Sequence, residues 1–231
     1  MAVFFRRHPA LYVRRPAFMG RRSLPKIDPT VNLLSHFGDV EELEAPFCPQ
    51  SLFSQTADLE IEVGSGKGLF VLTESGRNPD RNYLGNELSQ KYARYAAYRL
   101  AQSERANACM LAGDGLRLFR EFLPSDCAVA VHVYFPDPWW KDRHRQRRVM
   151  QPEFIKDIER VLVPSGVFHF WTDVEQYFDE TIGLMKEHSS LTGPHEVPER
   201  PAEHDMDYRT HFERRMRMRE HDVFRCQFLK K

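Results

Sequence analysis

The first 27 residues of this chain contain no acid, although Arg6, Arg7, Arg14, Arg15, Arg21, Arg22 and Lys26 all stand there. The whole chain of 231 residues nevertheless has a formal net charge of zero, so its charges are segregated. Asp39, Glu41, Glu42 and Glu44 follow as an acidic block. A neutral total therefore does not exclude a strongly positive face, and for nucleic-acid binding the distribution matters more than the sum. Residues 1–57 are expected to form a basic arm and lead-in. The arm lacks the continuous apolar segment of a secretory signal; its acid-poor, Arg-rich character faintly resembles an organellar transit peptide, and it reads ahead of that as a solvated tail or as an arm that touches RNA. Long apolar runs are also missing: none approaches the ~18 residues of a membrane helix, so no membrane partner is expected. Cysteine is scarce. Cys48, Cys109, Cys127 and Cys226 form no CxxC pair and stand near no histidine at zinc spacing. That excludes a zinc ribbon or a disulfide framework and leads us to expect free thiols, no metal and a cytoplasmic setting.

A hydrophobic content of 42% and a charged content of 29% fit one globular domain, expected over residues 58–231. From Asp58 the chain alternates strand-like and helical patterns. Strands are expected at 59–63, 82–87, 108–112, 129–135 and 167–171. Helices are expected at 68–75, 89–105, 116–123, 152–162 and 175–188. Ser89 is a candidate N-cap, and Pro152 suits a first helical turn. Pro164-Ser-Gly166 should break the chain before the fifth strand. Residues 192–204 read as a loop, and 208–219 with 223–229 as a terminal antiparallel hairpin. The alternation implies an α/β fold: a mostly parallel, seven-stranded sheet with helices on both faces. In such sheets ligands sit beyond the carboxyl ends of the strands.

The most informative stretch is Pro136-Asp-Pro-Trp-Trp-Lys-Asp-Arg-His-Arg-Gln-Arg-Arg148. A buried strand runs into an acid held between two prolines. Trp139 and Trp140 follow, then Lys141, Arg143, Arg145, Arg147 and Arg148 against the single acid Asp142. An acid, a stacking surface and a cationic rim at a strand end suit a nucleobase and its phosphates. At least one of the two indoles is expected in the core. Arg209, Arg214, Arg215, Arg217 and Arg219 form a second basic run, which the hairpin would bring beside the first as one RNA track.

At the first strand end, Glu62-Val-Gly64-Ser-Gly66-Lys-Gly68 gives G-x-G-x-G rather than the G-x-G-x-x-G of dinucleotide folds. Dinucleotide sites seat a pyrophosphate there. The Glu62 carboxylate would repel one, yet it suits a cation with an amino group, such as S-adenosylmethionine. Glu87 ends the second strand, where an acid can take both ribose hydroxyls. Asp114 ends the third, where an acid can accept from an adenine amino group. Three acids at three successive strand ends favour a nucleoside pocket.

Together these motifs resemble the tRNA (guanine-N7)-methyltransferase family from about Asp58 onward. Tyr134-Phe-Pro-Asp-Pro-Trp and its basic tail carry the resemblance most specifically. Phe170-Trp-Thr-Asp173 and Tyr208-Arg-Thr-His-Phe-Glu213 resemble two later family motifs. The resemblance implies a Rossmann-like class I methyltransferase fold, S-adenosylmethionine as cofactor, and 7-methylguanosine in the tRNA variable loop as product. By matching positions it implies a cofactor and catalytic pocket of Glu62, Gly64, Gly66, Gly68, Glu87, Asp114 and Asp137, with Asp137 catalytic. It likewise implies substrate contacts from Lys141, Asp173, Thr210, His211, Phe212 and Glu213. Arg143, His144, Arg145, Gln146, Arg147 and Arg148 would bind RNA. Trp140 and Asn86 depart from the family pattern, which has a smaller or less apolar residue and an aliphatic one there. No obligatory protein partner is expected, as monomer or homodimer. The competing readings are a methyltransferase of another RNA or of a small molecule, an NAD-dependent oxidoreductase and a non-catalytic RNA-binding module.

Overall fold

The computed structural model describes residues 24–231, so the arginines of the N-terminal arm up to Arg22 lie outside the described residues. Eight strands form one sheet in the order β1-β4-β3-β2-β5-β6-β8-β7. They are β1 (Phe37–Asp39), β2 (Asp58–Val63), β3 (Arg81–Glu87), β4 (Ala108–Ala112), β5 (Ala128–Tyr134), β6 (Leu162–Thr172), β7 (Thr192–Glu196) and β8 (Phe224–Leu229). β1 to β6 run parallel, and β8 pairs antiparallel with both β6 and β7. From β2 the chain winds outward through β3 and β4, then returns to the other side of β2 with β5 and β6. That places the topological switch point between β2 and β5.

The helices are α1 (Leu69–Arg77), α2 (Gln90–Gln102), α3 (Gly115–Arg117, continued by a π turn at Leu118–Phe122), α4 (Pro152–Val161), α5 (Glu175–His188) and α6 (His211–Arg217). One apolar layer joins Phe70, Val71, Ala96, Leu100, Met110, Tyr134 and Trp171, so α1 and α2 cover one sheet face. A second layer joins Leu118, Phe119, Phe154, Ile158, Tyr177 and Met185 on the other face. Ser89 and Pro152 occupy the expected helix starts, although the Ser89 side chain makes no capping bond.

Three expectations are corrected. Residues 208–219 are not a strand but the helix α6 and its approach. The antiparallel partner of β8 is β7, from the stretch read as a loop, together with β6. The Thr210 hydroxyl accepts from the Glu213 N–H at 3.0 Å, a cap that favours a helix over a strand here. Second, the sheet has eight strands rather than seven, because Phe37–Asp39 pairs with Met110–Ala112. Third, Pro164-Ser-Gly166 does not break β6, which runs from Leu162 to Thr172. Ser165 takes a φ of 66°, and the pairing with β5 shifts register there instead.

Candidate active site

β2 delivers Glu62 to the switch point with only 2% of its surface exposed, and its Oε2 has no hydrogen-bond partner among the described residues. Burial pushes the carboxyl up to about 8, against the Ser65 hydroxyl, while Glu87 adds to the rise and Arg209 opposes it. A buried acid with an orphaned oxygen suits a cationic donor. The loop beyond it is held open by backbone angle. Gly64 and Gly66 have φ of 82° and 55°, and a Cβ on either would meet nothing within 4 Å among the described residues. Only glycine adopts such angles freely while leaving that space clear.

Asn86, singled out only as a departure, organises this loop. Its backbone carbonyl accepts from Gly64 N and Ser65 N at 2.8 and 2.9 Å. Its buried side-chain amide donates to the carbonyls of Leu111 and Gly113 at 3.2 and 3.1 Å. It thereby ties the glycine loop to the turn carrying Asp114. An aliphatic residue would leave those carbonyls without this donor. A polar residue one position before a strand-end acid was the available signal.

Glu87 accepts from Gly66 N and Ser89 N, both at 2.9 Å, one on each oxygen. Each carboxylate oxygen retains a second lone-pair direction for a ligand hydroxyl. Asp114 caps α3 by accepting from Leu116 N at 2.9 Å and remains exposed.

Asp137 stands exposed beyond β5, between Pro136 and Pro138. The residues around it are strained: Phe135 and Trp139 have φ of 51° and 38°, a region bulky side chains avoid. Strain of that kind persists only where surrounding contacts hold it, and it clusters at functional sites. Trp139 is held by His144, with ring centroids 5.8 Å apart, and by the Arg147 guanidinium 5.2 Å above its ring. Trp140 projects with 49% of its surface exposed. Lys141, Arg143, Arg145, Gln146 and Arg147 are exposed along a 3-10 turn spanning Asp142–Arg147. Arg148 is not: it is buried, donates to the Pro138 carbonyl, pairs with Glu180 and stacks on Tyr177.

The Tyr208–Glu213 segment closes over the other side. Phe212 packs on Phe135 with centroids 4.9 Å apart, bringing this motif to the end of β5. His211 Nε2 lies 3.5 Å from Arg99 Nη1, which also donates to the Lys67 carbonyl at 2.7 Å, so the same motif meets the glycine loop. Thr210 spends its hydroxyl on the α6 cap. Glu213 is turned inward, buried, bonded to Arg209 N at 2.7 Å and paired with Arg217 and Arg225. Asp173 sits half-buried at the end of β6, its carboxyl raised by burial against its own backbone N–H and His221.

Residues 56–226 match a family model described as a putative methyltransferase. A tRNA (guanine-N(7)-)-methyltransferase of Rhodopirellula baltica is 47% identical over 92% of this chain and 81% of its own length. The chain belongs to the tRNA (guanine-N7)-methyltransferase family. The like-named protein of Nitrosococcus oceani is 30% identical over 77% of this chain and 74% of its own. Among solved structures, the 16S rRNA methyltransferase KamB superposes with a TM-score of 0.56 at 17% identity, over 80% of this chain and 94% of that one. The aminoglycoside-resistance methyltransferase NpmB1 gives 0.51 at 17%, over 77% and 89%. These two show the class I methyltransferase fold.

Within this family member three arginines of the second basic run are turned to acids or to the interior instead of extending the first run as a track. Arg214 pairs with Asp205, and Arg217 pairs with Glu199 and Glu213. Arg209 points inward, 5.4 and 5.7 Å from the Phe70 and Trp171 rings. Burial opposes its charge, but Tyr134, Glu74, Glu60 and Glu213 hold it fully protonated. Glu213 stands inside the run and Asp205 and Glu199 shortly before it, so counting the arginines alone missed acids already near them in sequence.

Proposed function

We propose that this enzyme transfers a methyl group from S-adenosylmethionine to N7 of a guanine in the tRNA variable loop. The observation that carries the reading is the buried Glu62 oxygen, unpartnered among the described residues, beside an open glycine loop, with Asp137 exposed at the adjacent strand end. The relatives' names supply the tRNA and the guanine. When bound, S-adenosylmethionine supplies an electrophilic methyl group. Its α-ammonium fits the Glu62 oxygen, its ribose hydroxyls the remaining Glu87 lone pairs, and its adenine amino group Asp114.

Guanine N7 has an in-plane lone pair and no proton, so the protein need not provide a general base. Its task is alignment and stabilisation of the positive charge that grows on the purine. Asp137, fixed by its flanking prolines and strained neighbours, is positioned to do this more strongly in the transition state than in the ground state. Lys141, Asp173, Thr210, His211 and Phe212 line the approach, and Glu213 holds that segment from beneath. Arg143, Arg145 and Arg147 offer charges to the RNA backbone. The deciding experiment is methyl transfer to bulk tRNA followed by nucleoside analysis. We expect 7-methylguanosine; methylation of another base, or none, overturns the reading.

A further inference from the structure

On the flank of the glycine loop, basic residues from three separate segments meet. Lys67 lies within the loop, Arg99 on the third turn of α2, and His211 with Arg215 on α6. Arg99 bridges them, donating to the Lys67 carbonyl at 2.7 Å and lying 3.5 Å from His211 Nε2. The Arg215 guanidinium sits 5.0 Å above the Phe212 ring, on the same helix. His211 senses this crowding. Burial, then Arg99, Lys67, Arg215 and Arg214, push its imidazole down to about 4. The neutral ring accepts from Arg99 instead of adding another charge. Arg214 and Arg217 of the second basic run instead meet the acids Asp205, Glu199 and Glu213. Like charges gathered from distant parts of a fold are destabilising unless an anion joins them.

We propose that Lys67, Arg99 and His211 form an oxyanion subsite that takes a backbone phosphodiester of the RNA substrate, apart from the arginines of the PDPWW loop. A phosphate seated there bridges the cofactor loop to the Tyr208–Glu213 segment. Substrate binding is thereby coupled to closure of the cofactor pocket by one charge-assisted contact. The inference rests on the tRNA methyltransferase reading above and adds a second phosphate contact region to it.

The test is the salt dependence of tRNA binding, read as the slope of log affinity against log salt, for the full-length protein and for Arg99→Gln and Lys67→Gln. Lys67→Gln removes a charge while leaving the bond from Arg99 to the Lys67 carbonyl intact. S-adenosylhomocysteine affinity, measured by calorimetry, reports whether the cofactor loop still stands. We expect the slope to fall by about 1 in each variant, with S-adenosylhomocysteine affinity unchanged in Lys67→Gln. A parental slope in both variants overturns the proposal. So does a parental slope with weakened S-adenosylhomocysteine binding, which would make Arg99 a brace for the loop or the cluster a seat for the cofactor's own carboxylate. Failure of the unsubstituted protein to methylate tRNA would instead overturn the underlying reading.

Discussion

Arg148 Nε donates to the Pro138 carbonyl oxygen at 2.7 Å, closing the PDPWW loop back on itself. The last arginine of the basic run is thus a clasp that fixes the loop carrying Asp137. A charged hydrogen bond of this kind contributes about 1.5–3 kcal/mol. Arg148→Gln should lower the unfolding free energy by about that much and reduce the rate of methyl transfer. Neutralising Arg143 and Arg145 should leave stability near parental and flatten the salt dependence of tRNA binding by about 1 per lost phosphate contact. Thermal unfolding and binding titrations separate the two; equal stability in all variants would remove the clasp.

Asp137 is exposed and placed by strained neighbours, not by buried partners. Asp137→Ala should therefore keep the fold and most of the cofactor affinity while methyl transfer falls to near background. Single-turnover kinetics at saturating cofactor and tRNA give the comparison, and parental turnover would refute the assignment.

Glu62 makes a pH prediction. Its carboxyl rises from an ordinary 4.5 to about 8, chiefly through burial. Between those values the folded protein holds a proton that the unfolded chain has released. This group's contribution to stability is therefore complete below about 4.5 and is lost as pH climbs through about 8. A bound ammonium favours the ionised form, so cofactor binding at pH 7 should release a proton and tighten toward pH 8. Calorimetry in buffers of different ionisation enthalpy counts that proton. Glu62→Gln should abolish the release, weaken binding by about 10- to 100-fold and flatten the stability profile over that window. Proton release persisting in the variant would assign it elsewhere.

The two indoles should behave differently. Trp139 is packed between His144 and Arg147, whereas Trp140 is half-exposed. Trp140→Ala should weaken tRNA binding by about 1–3 kcal/mol, the worth of one stacked base, with little change in melting temperature. Trp139→Ala should lower the melting temperature as well. Fluorescence quenching on tRNA addition that survives Trp140→Phe would shift the stacking role to another indole.

The alternation of strands and helices from Asp58 to His188 was legible because buried parallel strands read as apolar runs and helices carry a 3.6-residue period. The end of the chain was not. Residues 208–219 carry apolar and charged residues that fit either period, and what favours the helix is the Thr210 hydroxyl accepting from Glu213 N while the Glu213 carboxylate accepts from Arg209 N. β7 was hidden by Gly193 and Pro194, which weaken any strand signal on a sheet edge.

By itself the sequence determined the sheet-and-helix order, the acids at successive strand ends and the loop that follows β5, since each depends on residue type at short spacing. Tertiary structure decided which charges remain for a ligand. Arg148, Arg214 and Arg217 were met by Glu180, Asp205, Glu199 and Glu213, while Lys67, Arg99 and His211 were gathered from three segments. Coulomb energy depends on distance in space, and that distance exists only once the sheet has brought its strand ends together.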